Sequence, residues 1–156
     1  MPDKQSFIDI IGKLVISAVA VFLIQQVAHE VGHAIMCLVL GGRIEYFFVG
    51  LSYGHVICNI ANIPLFITIQ RISGGIFAAI ILFTIQKKVE TFWWELRTVN
   101  LAFIYVNISI AFLEGFFFSF YVLNRDKVSY LFLPFFFLSV YQIVFRDLER
   151  LRARDE

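Results

Sequence analysis

The feature that most constrains this chain is the apolar run Leu14–Leu40, LVISAVAVFLIQQVAHEVGHAIMCLVL, which holds no Lys, Arg or Asp. It exceeds the ~20 residues an α-helix needs to cross the hydrocarbon of a bilayer. Its second half carries His29-Glu30-Val31-Gly32-His33, an H-E-x-x-H sequence. An ionisable group at mid-membrane costs about 2.5–3.5 kcal/mol even on the lenient insertion scale, so each one needs a protein-lined or water-filled place. A metal ion changes that account, because it turns two imidazoles from a liability into ligands.

Spacing makes the pair usable. Residues four apart share a helix face, so His29 and His33 can grip a single ion. Glu30 follows the first of them directly, the place from which the glutamate of this motif acts as base toward a water activated by Zn²⁺. Gln25 and Gln26 lie one turn earlier and extend a polar stripe on a helix that is otherwise greasy. The alternative is a buried histidine pair hydrogen-bonded to neighbouring helices.

Composition agrees with a membrane chain. Its 156 residues are 60% hydrophobic and 17% aromatic, which excludes an ordinary soluble globule and suits a single domain over residues 1–156. A formal net charge of +1 gives no argument for nucleic acid. Two cysteines, Cys37 and Cys58, make no disulfide framework, and Cys37 reads as a small core residue rather than a ligand. Lys4 and Lys13 before the run imitate a signal peptide. The run is too long for that and no small-x-small site closes it, so it is expected to stay.

In chain order, Met1–Lys13 is a mixed-charge lead-in, open to an interfacial turn of helix, and the first span stops at Gly41-Gly42. Arg43–Val49 and His55–Ile60 read as the strands of a hairpin around the turn Gly50–Gly54. Ile63–Gln70 is open between strand and interfacial helix. Ile72–Ile85 is a second apolar run, short for a crossing and open to a re-entrant path, with Gly74/Ala78 and Gly75/Ala79 giving a small face for close packing. Gln86–Arg97 is a polar break in which Trp93 and Trp94 read as interface anchors. Thr98–Leu123 is a third span, Asn124–Lys127 a polar turn, Val128–Phe145 a fourth span and Arg146–Glu156 a solvated tail. The fold class is therefore an all-α membrane protein of three to four transmembrane helices with a small β-hairpin after the first span. Its place is a lipid bilayer, as a multi-pass protein of the cell membrane.

The third span contains an acid, Glu114, with Asn107 and Asn100 at seven-residue steps before it, all on one face. Asn100 reads as interhelical glue. No Lys or Arg occurs between Arg97 and Arg125 to pair with Glu114. Either a metal held by His29 and His33 supplies the positive charge and Glu114 is its third protein ligand, or the carboxyl is protonated or otherwise hydrogen-bonded. His55 reads as an ordinary loop histidine.

These residues resemble the site-2 protease family of intramembrane zinc metalloproteases. His29–Ala34 is similar to that family's H-E-x-G-H-A, and Leu40–Glu45 with the strand ending at Gly50 is similar to the small-residue stop and β segment that follow it. Ile72-Ser73-Gly74-Gly75 resembles the start of an A-G-P-x-A-N helix, without the proline and asparagine. Asn107–Gly115 resembles N-x-x-P-x-x-x-L-D-G, with Glu114 for the aspartate, no proline and a gap one residue shorter. The resemblance implies a zinc peptidase that cuts membrane-spanning or membrane-adjacent proteins. It implies Asn107 near the substrate carbonyl and an extended substrate paired with the edge of Arg43–Val49.

Orientation is open at this level. Four crossings put nine Lys and Arg on the N-terminal side against four on the hairpin side, which places the N-terminus in the cytoplasm. The resemblance implies the reverse, and a re-entrant Ile72–Ile85 would agree with it. Rival functions are a divalent-metal transporter, which shares only the first motif, and a catalytically inactive relative that binds membrane helices.

Overall fold

Apolar residues recurring every three or four positions build this chain into helices joined by one hairpin. The computed structural model describes residues 4–51, 53–89 and 93–118, with the single positions 123, 141 and 145. The elements run α1 (Lys4–Val39), β1 (Arg43–Val49), β2 (Gly54–Asn59), α2 (Pro64–Val89) and α3 (Trp94–Phe116). Among the described residues, three helices are long and apolar enough to cross a membrane: Ile8–Val39, Pro64–Lys88 and Trp94–Phe116. The expected fourth span Val128–Phe145, the turn Asn124–Lys127 and the tail Arg146–Glu156 lie outside the described residues, apart from positions 141 and 145.

Helix α1 starts earlier than expected, so the described part of the lead-in is already helical, with Lys13 and Asp9 bridged at 2.6 Å one turn apart. Leu14, Ser17, Val21, Gln25 and Ala28 are buried on one stripe, while Val15, Ile16, Val19, Leu23, Ile24 and Val27 stay exposed. That is a helix packed on one side and left apolar on the other, the pattern of a lipid-facing surface. The helix stops where expected. Gly41 takes φ +74°, and the Gly42 N–H donates to the Cys37 carbonyl at 2.8 Å. Only a residue without a Cβ adopts that left-handed stop cheaply.

The hairpin pairs β1 and β2 antiparallel from Arg43 with Asn59 to Val49 with Gly54, with an irregularity between Ile44 and Tyr46. Strand β2 begins one residue before the expected His55. His55 itself is an exposed strand residue whose ring sits 6.4 Å from that of Tyr46. Cys37 and Cys58 form a disulfide, which corrects the reading of Cys37 as a mere core residue. It is fully buried as expected, but the bond ties the end of α1 to β2. Antiparallel register, invisible in the sequence, brings the two sulfurs together.

Helix α2 joins two segments that the sequence suggested were separate. Ile63–Gln70 is neither strand nor a separate interfacial helix from Pro64 onward, and Ile72–Ile85 does not stand alone as a short run. Twenty-six residues rise ~39 Å, enough to cross. At the join, the Arg71 guanidinium lies 3.6 Å from the Phe118 ring centroid, and the Gln70 backbone carbonyl faces His33 Nδ1 at 2.8 Å. Gln86 belongs to α2 and is buried, where Asn100 of α3 donates to its side chain at 2.7 Å and to the Leu82 carbonyl at 2.8 Å. Asn100 is the interhelical glue expected of it. Trp93, half-exposed at the start of α3, donates to the Ser17 hydroxyl at 3.0 Å, so it pins α3 to α1 as well as facing outward. Leu14, Val21, Ala79, Leu82, Val99 and Ile104 form the apolar core.

Candidate metal centre

Chain direction sets the geometry here. Helices α1 and α3 run parallel with α2 antiparallel between them in sequence, so the ends of α1 and α3 nearest the hairpin lie side by side. This brings Glu114 to the level of the H-E-x-x-H turn. The His29 and His33 Nε2 atoms are 3.1 Å apart, and Glu114 Oε2 lies 3.4 Å from the first and 3.6 Å from the second. Glu114 is buried, and Oε2 makes no hydrogen bond. The two imidazoles stand nearly perpendicular, at 83° with centroids 4.8 Å apart.

One of these rings has its proton assigned by its neighbour. His33 Nδ1 lies 2.8 Å from the Gln70 carbonyl oxygen, which can only accept, so Nδ1 is the donor. A neutral His33 then presents a lone pair at Nε2, toward His29 and Glu114. Such a backbone carbonyl behind a ligating ring is the usual means of fixing tautomer and orientation. The Ser73 hydroxyl donates to the same carbonyl at 2.6 Å.

The donor set fits a zinc ion. Lone pairs from two imidazoles and a carboxylate converge in a poorly solvated place, where they repel unless a cation or a proton sits among them. Tetrahedral coordination with bonds of ~2.0–2.2 Å has ligand–ligand edges of about 3.3–3.6 Å; the separations of 3.4 and 3.6 Å fall in that range and the 3.1 Å between the two imidazole nitrogens lies just below it. Among the described residues this is the one such cluster.

Two glycines make room for it. A Cβ on Gly74 of α2 would strike the His33 ring, and a Cβ on Gly54, the first residue of β2, would strike the Glu30 carboxyl group. Glu30 is buried beneath the start of β2 and borders the cluster. The hairpin is therefore part of the site and not an appendage.

Of the residues singled out from sequence, His29, His33 and Glu114 meet, and Glu30 lies beside them. Asn107 is fully buried on the Glu114 face of α3. Its amide donates to the Phe103 carbonyl at 2.8 Å, and its Oδ1 has no hydrogen-bond partner. Sequence reasoning missed the Gln70 carbonyl, Ser73, and the contacts at Gly54 and Gly74. Of these, only the small face of α2 left a trace in the sequence. Comparison with protein-family models, with curated proteins and with solved structures finds no match to this chain.

Proposed function

We propose that the chain is an intramembrane zinc metalloprotease that hydrolyses peptide bonds of membrane-spanning or membrane-adjacent proteins. The observation that carries the reading is the convergence of His29, His33 and Glu114 within 3.1–3.6 Å, with a buried glutamate between the two histidines in sequence. His29, His33 and Glu114 would hold the ion. When bound, zinc supplies Lewis acidity that lowers the pKa of water to about 7.

Glu30 is the general base: its carboxylate accepts the proton of the attacking water and returns one to the leaving amine. Burial beneath Gly54 holds that carboxylate in one place and keeps bulk water from competing for it. Asn107 is assigned to the substrate carbonyl, since its amide nitrogen carries a second hydrogen beyond the one given to Phe103. An intact helix hides its carbonyls in its own hydrogen bonds, so a substrate has to unwind at the cut.

The carrier reading has less support. A transport path needs polar ligands along its length. Beyond the cluster, toward the Lys4 end, the buried polar side chains Ser17, Gln25, Gln86, Glu95 and Asn100 are interspersed with Leu14, Val21, Leu82, Val99 and Ile104, and no second group of His, Cys, Asp and Glu ligands lies there among the described residues. The test is cleavage of a membrane-anchored reporter by the purified chain in detergent or vesicles. Wild type should cut, while His33→Ala and Glu30→Gln should not. Zinc flux into vesicles without any cleavage would replace the peptidase by the carrier.

A further inference from the structure

We infer that the hairpin end of the bundle is the extracytoplasmic end, so that substrate and water reach the site from outside the cytoplasm. The statement about substrate rests on the peptidase reading, whereas the orientation does not.

The first observation is depth. His33 and His29 lie about 9 and 15 Å along the axis from the end of α1 at Val39, and Glu114 about 3 Å from the end of α3 at Phe116, at 1.5 Å per residue. The opposite end of α1, at Lys4, is about 37 Å from His29 on the same scale. Along that long way lies the apolar core of Leu14, Val21, Ala79, Leu82, Val99 and Ile104, with Ser17, Gln25, Gln86, Glu95 and Asn100 also buried there. The hairpin end is the nearer one, and there Gly54 of the hairpin packs directly on the Glu30 carboxyl group. The site therefore lies nearer the hairpin end of the described bundle than the Lys4 end.

The second observation is the Cys37–Cys58 bond, which lies on that side, between the last turn of α1 and the second strand. Disulfides form and persist in oxidising compartments and are rare where thiol reductants are kept, as in the cytosol. The third is charge. Among the described residues the far end carries Lys4, Lys13, Lys87, Lys88 and Arg97, and the hairpin end Arg43 and Arg71. Lys and Arg concentrate on the cytoplasmic side of short loops. The sequence count with a fourth crossing runs the same way. Redox chemistry and charge are independent, and among the described residues they agree on an orientation opposite to the one the family resemblance implies.

The substrate class follows. It is a membrane-spanning or membrane-adjacent segment approached from its extracytoplasmic end, with the scissile bond at the level of His29 and His33, about 9–15 Å along the axis from the end of α1. Such a substrate needs no cytoplasmic loop to be recognised.

The experiment labels the full chain in intact cells with a membrane-impermeant maleimide. In a Cys37→Ser, Cys58→Ser background, Leu51→Cys reports the hairpin turn, where the residue is 80% exposed, and Lys87→Cys reports the exposed far end of α2. The expected result is at least tenfold more labelling of Leu51→Cys than of Lys87→Cys before permeabilisation, with the two equal after it. The reverse ratio overturns the orientation. Wild type gives a second reading should the background fold poorly. An impermeant reductant added outside should open the disulfide and expose Cys58 to the same maleimide, and a pair that resists until the cells are opened overturns the inference. Neither readout involves zinc or cleavage. A zinc-free chain labelled from outside would sink the peptidase reading and leave the orientation standing.

Discussion

His33 is held on both nitrogens, by the Gln70 carbonyl behind it and by the facing His29 and Glu114 groups in front. Glu30 has its place fixed by contact with Gly54. These differences separate two kinds of variant. Glu30→Gln keeps the shape and removes the base, so cleavage should fall by at least about 10²-fold while zinc content stays at the wild-type level. A fully active Glu30→Gln chain would end the proposed mechanism. Gly74→Ala acts on the ligand instead, because the added methyl drives into the His33 ring. Zinc affinity, read by competition with a chelator, should drop about 10- to 100-fold, the range for disturbing a group that orients a ligand. The H-E-x-x-H turn was legible because i and i+4 share a face on any helix. The Gln70 carbonyl was not, since a backbone oxygen carries no mark in the sequence.

At the scale of elements, the hairpin and the helix stop at Gly41-Gly42 followed from local chemistry: β-branched and aromatic runs on either side of a turn, and a residue able to take positive φ. Helix α2 did not, because Gln70-Arg71 reads as a polar interruption until the Arg71 guanidinium is seen over the Phe118 ring. Nor did the disulfide, which depends on how β2 registers against β1 and how the hairpin folds back on α1. Two outcomes belong here. Removing the disulfide by Cys58→Ser should cost about 2–4 kcal/mol of stability, seen as a lower unfolding midpoint without reductant and no difference from wild type with it. Asn100→Leu loses hydrogen bonds to Leu82 and Gln86 across the α2–α3 contact. It should cost about 1 kcal/mol and leave zinc binding unchanged, because Asn100 lies about 21 Å along α3 from Glu114.

For the whole molecule, topology decides whether the polar groups of three helices amount to a site. An up-down-up path places the last turn of α3 beside the last turns of α1, and only that path lets Glu114 meet an H-E-x-x-H turn far away in sequence. The seven-residue steps of Asn100, Asn107 and Glu114 showed that they share a face, and all three are buried. Which helix that face meets is set by packing, and periodicity does not encode it. The same path puts the hairpin over Glu30 and the apolar core toward the other end. Metal analysis of the purified chain, wild type beside His33→Ala and Glu114→Ala, tests the centre of this account. One zinc per wild-type chain and loss of the tightly held ion in both variants is the predicted result. An active wild-type preparation free of zinc, or full zinc content in His33→Ala, would contradict it.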